Sequence, residues 1–286
     1  MGILLVMVNE AMLPIWIIAI MFGGIITLLF GLASSPNEER TRRIIILGSS
    51  MSGKTTLWNQ LKNRKIGYDY IPTPGQTVID SFKVKYKDHE VLYIGGSSAA
   101  SGTYQSAVIA KNDGYENVHV FDTQNLSTGS ALFVIKACEM REKGYSIEEI
   151  IENLNLLKGS EELIASVDTL EYLKKGGRIS STKAMIGNLL SIKPILTVEN
   201  GLVSQKSQVR GKKHIYSELV KYISDVYNKD LEDKTVILGC GDNEEDLETL
   251  KNHLTEECKV KDVYNVNIGC GICSHAGPGV LIISCI

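Results

Sequence analysis

Val91-Leu92-Tyr93-Ile94-Gly95-Gly96-Ser97-Ser98-Ala99-Ala100-Ser101-Gly102-Thr103-Tyr104 decides the fold class. An apolar run with β-branched residues reads as a buried strand, and the small residues after it turn the chain into a helix over Tyr104–Lys111. Asn117-Val118-His119-Val120-Phe121-Asp122 is the next strand. Strand, crossover helix and strand make a parallel βαβ unit, so the expected class is α/β.

The pattern continues outward from there. A helix over Leu132–Lys143 ends at Gly144, and Ser146-Ile147-Glu148-Glu149 is a capping box opening a helix over 147–157. Ile195–Glu199 and Leu202–Gln205 flank Asn200-Gly201, the two-residue hairpin signal. Ile215, Leu219, Tyr222, Ile223 and Val226 share one face of a helix over 212–228. Thr235–Gly239 is a strand, Asp242–Glu245 caps a helix running to about Glu257, and Val263–Ile268 and Val280–Ser284 are closing strands around a Gly-rich loop. Two α/β lobes with parallel βαβ units are expected.

Composition narrows the function. With 286 residues, 44% hydrophobic and 22% charged, the chain has material for a large core and is not of the disordered class. Thirty basic against 33 acidic residues exclude a broadly basic nucleic-acid coat. Six cysteines are too sparse for a disulfide scaffold and point to a reducing compartment.

No charged residue occurs from Ala11 to Asn37. About 20 apolar residues span a bilayer as a helix, and Met12–Leu32 meets that length, with Pro14 near its start and Trp16 suited to an interface. No Lys or Arg precedes the run, as a signal peptide requires. Arg40, Arg42 and Arg43 follow it, so a single-pass anchor is expected, with the C-terminal bulk cytoplasmic.

Arg43–Leu47 then reads as a strand leading into Gly48-Ser49-Ser50-Met51-Ser52-Gly53-Lys54-Thr55, a G-x-x-x-x-G-K-[ST] phosphate loop, with Thr56 opening a helix. In such a loop the backbone N–H groups at Gly48 and Gly53 curl round phosphate oxygens, Lys54 reaches the outer phosphates and Thr55 holds Mg²⁺. With Ile71-Pro72-Thr73-Pro74-Gly75 and Val91–Gly96, residues 42–96 resemble the front of an Arf-like small GTPase or the β subunit of the signal-recognition-particle receptor. That resemblance implies GTP with Mg²⁺ held by Thr55 and Thr73. Tyr93 stands where the family has its Mg²⁺-supporting Asp, Ser97 replaces its catalytic Gln, and Asn228-Lys229-Asp230-Leu231 misplaces the Asp of N-K-x-D. Turnover is therefore not expected.

Between Leu170 and Ile215 lie nine Lys/Arg and two acidic residues. This is either a solvated basic face or a dock for an acidic or phosphate-bearing partner. Aromatic residues are not interleaved as nucleic-acid stacking needs. Cys270-Gly271-Ile272-Cys273 with His275 lacks the fourth ligand of a structural zinc site, so small core residues are the expected reading.

Ser97-Ser98-Ala99-Ala100-Ser101-Gly102-Thr103-Tyr104-Gln105-Ser106-Ala107 resembles the S-S-x-L-S-G-T-Y-Q-S-A segment of the DegV family. Phe121-Asp122-Thr123, Leu170–Ile179, Leu189–Leu196, Val209-Arg210 and His275-Ala276-Gly277-Pro278-Gly279 follow in that family's order. The resemblance implies a non-catalytic protein that binds one long-chain fatty acid between two α/β domains and presents it to a fatty acid kinase. It further implies that Ser97, Ser98 and His275 hold the carboxylate, with Arg178 at the same mouth and Arg210 on the kinase-docking face. The residues agree in kind, since hydroxyls and N–H groups at a strand–helix junction favour an anion.

The family's opening T-D-S-x-x-D and T-S-Q-P-S segments are not found, and the chain reads as a join near Val91–Ser98. Four segments are expected: anchor and linker (1–37), phosphate-loop segment (38–96), the remainder of the first lobe (97–160) and a second lobe (161–286). The alternatives to fatty-acid binding are a membrane-tethered nucleotide-binding protein and a fusion with neither activity.

Overall fold

The computed structural model describes the backbone of residues 3–10, 13–21, 29–32, 42–48, 67–72, 90–112, 117–179 and 192–286. The first sheet holds β1 (Ile3–Glu10), β2 (Leu13–Met21), β3 (Leu29–Leu32), β4 (Arg42–Gly48), β5 (Gly67–Pro72), β6 (Glu90–Gly95) and β7 (Val118–Asp122). Its order is β5-β4-β3-β2-β1-β6-β7. The β6–β7 pair is parallel, as the βαβ reading requires, and α1 (Thr103–Asn112) forms the crossover.

The second sheet is built after α2 (Ser127–Glu142) and α3 (Ile147–Leu157). Along the chain come β8 (Glu162–Ser166), α4 (Glu171–Gly176), β9 (Ile192–Glu199), β10 (Leu202–Arg210), α5 (Lys213–Tyr227), β11 (Asp230–Leu231), β12 (Val236–Cys240), α6 (Glu244–Glu257), β13 (Lys259–Val260), β14 (Val263–Asn267), α7 (Cys270–Ala276) and β15 (Leu281–Cys285). Six of these strands pair in the order β10-β9-β8-β15-β12-β14. Only β12 and β14 are parallel; the other neighbours are antiparallel, which corrects the expectation of parallel units throughout. Two of these antiparallel pairings come from β15, which inserts between β8 and β12 from the far end of the chain, and the other two are β8–β9 and the β9–β10 hairpin.

Local signals fold as their chemistry dictates. Ser146 Oγ accepts from the Glu149 N–H at 3.2 Å, and Glu149 Oε2 accepts from the Ser146 N–H at 2.7 Å, a complete capping box. Asn200 and Gly201 both take positive φ, 52° and 77°, the geometry a two-residue hairpin needs. Asn243 caps α6 by accepting from the N–H groups of Glu245 and Asp246.

Three expectations change. The run expected as one membrane helix contains β2 and β3, and no helix among the described residues is long and apolar enough to cross a membrane. An unbroken Ile-rich apolar run is equally the signature of a strand covered on both faces, and periodicity alone does not separate the two. Helix α2 starts five residues before the expected Leu132, because Ser127-Thr128-Gly129-Ser130 is helical rather than loop. His275 sits in the short helix α7, not in a loop.

Residues of β8 alternate between two cores. Leu163, Ala165 and Val167 just beyond the strand join one apolar cluster with Leu92, Ile94 and Phe121 of the first sheet and Phe133 of α2. Ile164 faces a second cluster built on α5 and α6. The first cluster therefore runs from one sheet to the other, and the candidate site opens within it.

Candidate functional site

A cavity of about 660 Å³, counting the space open to solvent at its mouth, lies against the first-cluster face of the second sheet. Ala165 and Val167, Leu196 and Val198, and Ile282 supply its apolar floor. Leu173 and Arg178, Ile272 and His275, and Ala100 and Ser127 supply the walls. The polar groups are few, which is the composition of a site for a mostly apolar ligand with one polar end.

Arg178 reaches the cavity through the way α4 ends. Gly177 takes φ 66°, a left-handed conformation that glycine adopts without strain, and the Arg178 N–H returns to the Leu173 carbonyl at 3.1 Å. The Arg178 guanidinium donates to the Gly176 carbonyl from Nη1, leaving further donors on the fork.

His275 comes from α7, which packs on α4. A side chain at Gly176 would collide with His275 Nδ1, and one at Gly277 (φ 88°) would press on the Tyr172 ring, so glycines set the spacing. His275 Nδ1 is buried with no hydrogen-bond partner among the described residues. Burial, and then the Arg178 charge, push the imidazole pKa below its usual 6.5, so the ring is neutral at pH 7. A neutral ring beside a guanidinium with an unused buried nitrogen suits an anionic group. His275 and Arg178 are brought together, as expected.

Ser97 and Ser98 stand beside the cavity rather than on its wall, which Ala100 of the same turn reaches. Ser97 is fully buried; its N–H donates to the Asn125 carbonyl at 2.8 Å and its Oγ accepts from the Ala99 N–H at 3.2 Å. The Ser98 N–H is held by Asp122 Oδ1 at 3.2 Å, which explains the Phe121-Asp122-Thr123 segment as a clamp on this turn. Arg210 ends the edge strand β10, exposed and away from the cavity.

The described backbone takes in Gly48, at the end of β4. Gly53, Lys54, Thr55, Thr56 and Thr73, the remaining nucleotide and Mg²⁺ positions, lie outside the described residues. Cys273 is half-buried with Sγ 3.3 Å from the Ile268 carbonyl, and no metal-holding group of three or more His, Cys, Asp or Glu occurs among the described residues.

Sequence reasoning missed Ser127. It lines the cavity, is 6% exposed, and its Oγ has no hydrogen-bond partner among the described residues. The available signal was a cluster of small hydroxyl residues ahead of an apolar helix, which also reads as a loop.

The comparisons agree with this architecture. The family described as "Uncharacterised protein, DegV family" matches residues 56–286, and so takes in residues 56–96 of the segment that resembles a GTPase. A DegV domain-containing protein of Clostridium perfringens is 36% identical over 262 residues, 86% of each chain, and one of Staphylococcus aureus is 33% identical over 228 residues, 77% of this chain and 78% of that one. Among solved structures, a DegV family protein from Ruminococcus gnavus with vaccenic acid is 27% identical, with a TM-score of 0.60 over 66% of this chain and 69% of that one. DegV of Bacillus subtilis, described as a fatty acid binding protein, is 26% identical with a TM-score of 0.57, covering 80% and 74%. With a family model matching residues 56–286 and a relative 36% identical over 86% of each chain, this chain belongs to the DegV family.

Proposed function

We propose that this chain is a binding protein for one long-chain fatty acid, held with its acyl chain in the cavity and its carboxylate toward Arg178 and His275. The observation that carries this reading is an apolar cavity bordered by a guanidinium and a buried imidazole nitrogen that has no hydrogen-bond partner among the described residues. The relatives from Ruminococcus gnavus and Bacillus subtilis support the ligand class. Fluorescence titration with cis-parinaric acid tests it. Arg178→Ala and His275→Ala should each weaken binding about tenfold, the scale of one lost hydrogen bond to a charged group. Wild-type affinity in both variants would contradict the assignment.

Presentation of the carboxylate to a kinase is the further part of this reading. It rests on the family resemblance and on Arg210 being exposed at a sheet edge. Arg210→Ala should leave lipid affinity intact and slow acyl-phosphate formation by a bacterial fatty acid kinase; an unchanged rate would contradict it.

A further inference from the structure

Four residues open α2, and all but one of their polar side chains are accounted for. Thr128 Oγ1 meets Ser284 Oγ at 2.6 Å, and Ser130 Oγ meets Thr123 Oγ1 at 2.9 Å. Gly129 lies against the Asn125 side chain, whose Oδ1 accepts from the Leu126 N–H at 2.8 Å. Ser127 is the exception, with a buried hydroxyl that bonds to nothing among the described residues and faces the cavity. It also holds φ 49°, a conformation a non-glycine residue rarely takes. A buried hydroxyl left unpaired costs stability, so a partner supplied from the cavity would recover that cost.

The backbone around it favours a negative partner. Helix α2 is 16 residues long, and Leu126 at its N-cap has no side-chain acceptor for the first-turn N–H groups. Asn125 Oδ1 holds the Leu126 N–H and the Leu126 carbonyl accepts from Gly129 and Ser130, while the positive end of the helix dipole meets the cavity with no oxygen from the N-cap side chain. Contacts tie this point to Arg178. Ile179 bridges Val203, Gly201 abuts the Ser97 hydroxyl, and the Ser97 N–H bonds the carbonyl of Asn125, two residues before Ser127. The carboxylates beside this turn are engaged: Asp122 accepts from the N–H groups of Ser98 and Gln124, and Glu161 accepts from the Asn125 side-chain amide and the Gly159 N–H.

We infer that Ser127 and the N-terminus of α2 complete the carboxylate seat, with the Ser127 hydroxyl donating to the ligand oxygen that Arg178 and His275 leave unsatisfied. This rests on the fatty-acid reading and adds to it a binding residue the motifs do not mark. The acid is recognised as an anion at this seat, whereas the acyl chain is held by the apolar floor.

The test is Ser127→Gly, which removes the hydroxyl while relieving the positive φ, so the fold should be at least as stable. Cis-parinaric acid bound to the full chain is displaced with hexadecanoic acid and, separately, with hexadecan-1-ol. The expected result is at least a tenfold loss of affinity for the acid, with the alcohol unchanged within twofold. Unchanged acid affinity, or equal losses for acid and alcohol, would overturn the role of Ser127 while leaving the lipid site standing. A wild-type protein that binds neither probe would overturn the fatty-acid reading itself, and this one with it.

Discussion

His275 couples the site to pH. Its folded pKa lies below the unfolded value of about 6.5, so below that pH the unfolded chain binds the extra proton more readily. The stability this group contributes is fully present above about pH 6.5 and is lost as pH falls from there toward the folded value. A bound carboxylate reverses the bias by favouring the imidazolium, so ligand binding takes up a proton. Fatty-acid affinity should therefore rise as pH falls from 7.5 to 5.5 in the wild type, and His275→Gln should flatten that slope. A slope that survives the substitution would assign the proton elsewhere. At this scale the meeting of Arg178 and His275 at one cavity was legible only through the family resemblance of Gly-Gly-Arg and His-Ala-Gly-Pro-Gly. Ser127 was not, because a serine's hydrogen-bond state depends on which neighbours the fold brings to it.

Helix α7 shows what an element needs in order to carry such a residue. Its end is fixed by Gly277, where positive φ coincides with close approach of the Tyr172 ring. Gly144 also has positive φ, 90°, but open space around it. Gly144→Ala should cost about 1–2 kcal/mol of backbone strain, and Gly277→Ala, at φ 88° and ψ 161° in a region essentially only glycine enters, about 1–3 kcal/mol, both read by urea denaturation. Gly277→Ala should also weaken fatty-acid binding by pushing α7 off α4, whereas Gly144→Ala should not. Equal binding in the two variants would show that the α4–α7 contact does not position His275. The elements set by local chemistry, namely the capping box, the Asn-Gly hairpin and the apolar face of α5, were legible in the sequence. Strand direction in the second sheet was not, since it depends on where β15 inserts. Helix α7 was hidden because seven residues between glycines give no periodic signal.

Across the whole molecule, one apolar cluster links the two sheets and borders the cavity, so occupancy and global stability should be coupled. Ligand at a hundredfold excess over Kd stabilises a folded protein by about 2.7 kcal/mol. A rise in Tm of several degrees with hexadecanoic acid is expected, and no shift would contradict that coupling. The α/β class and the order of the family motifs could be read from the chain, but the closing of the cavity could not, because its walls come from residues 100, 127, 178 and 275. The most direct test of the central claim is native mass spectrometry of the full chain as purified, followed by lipid extraction. The account predicts a mass increment of one long-chain fatty acid per chain, recovered as free acid in the extract. Folded protein at its bare mass, taking up no fatty acid when one is added, would contradict it.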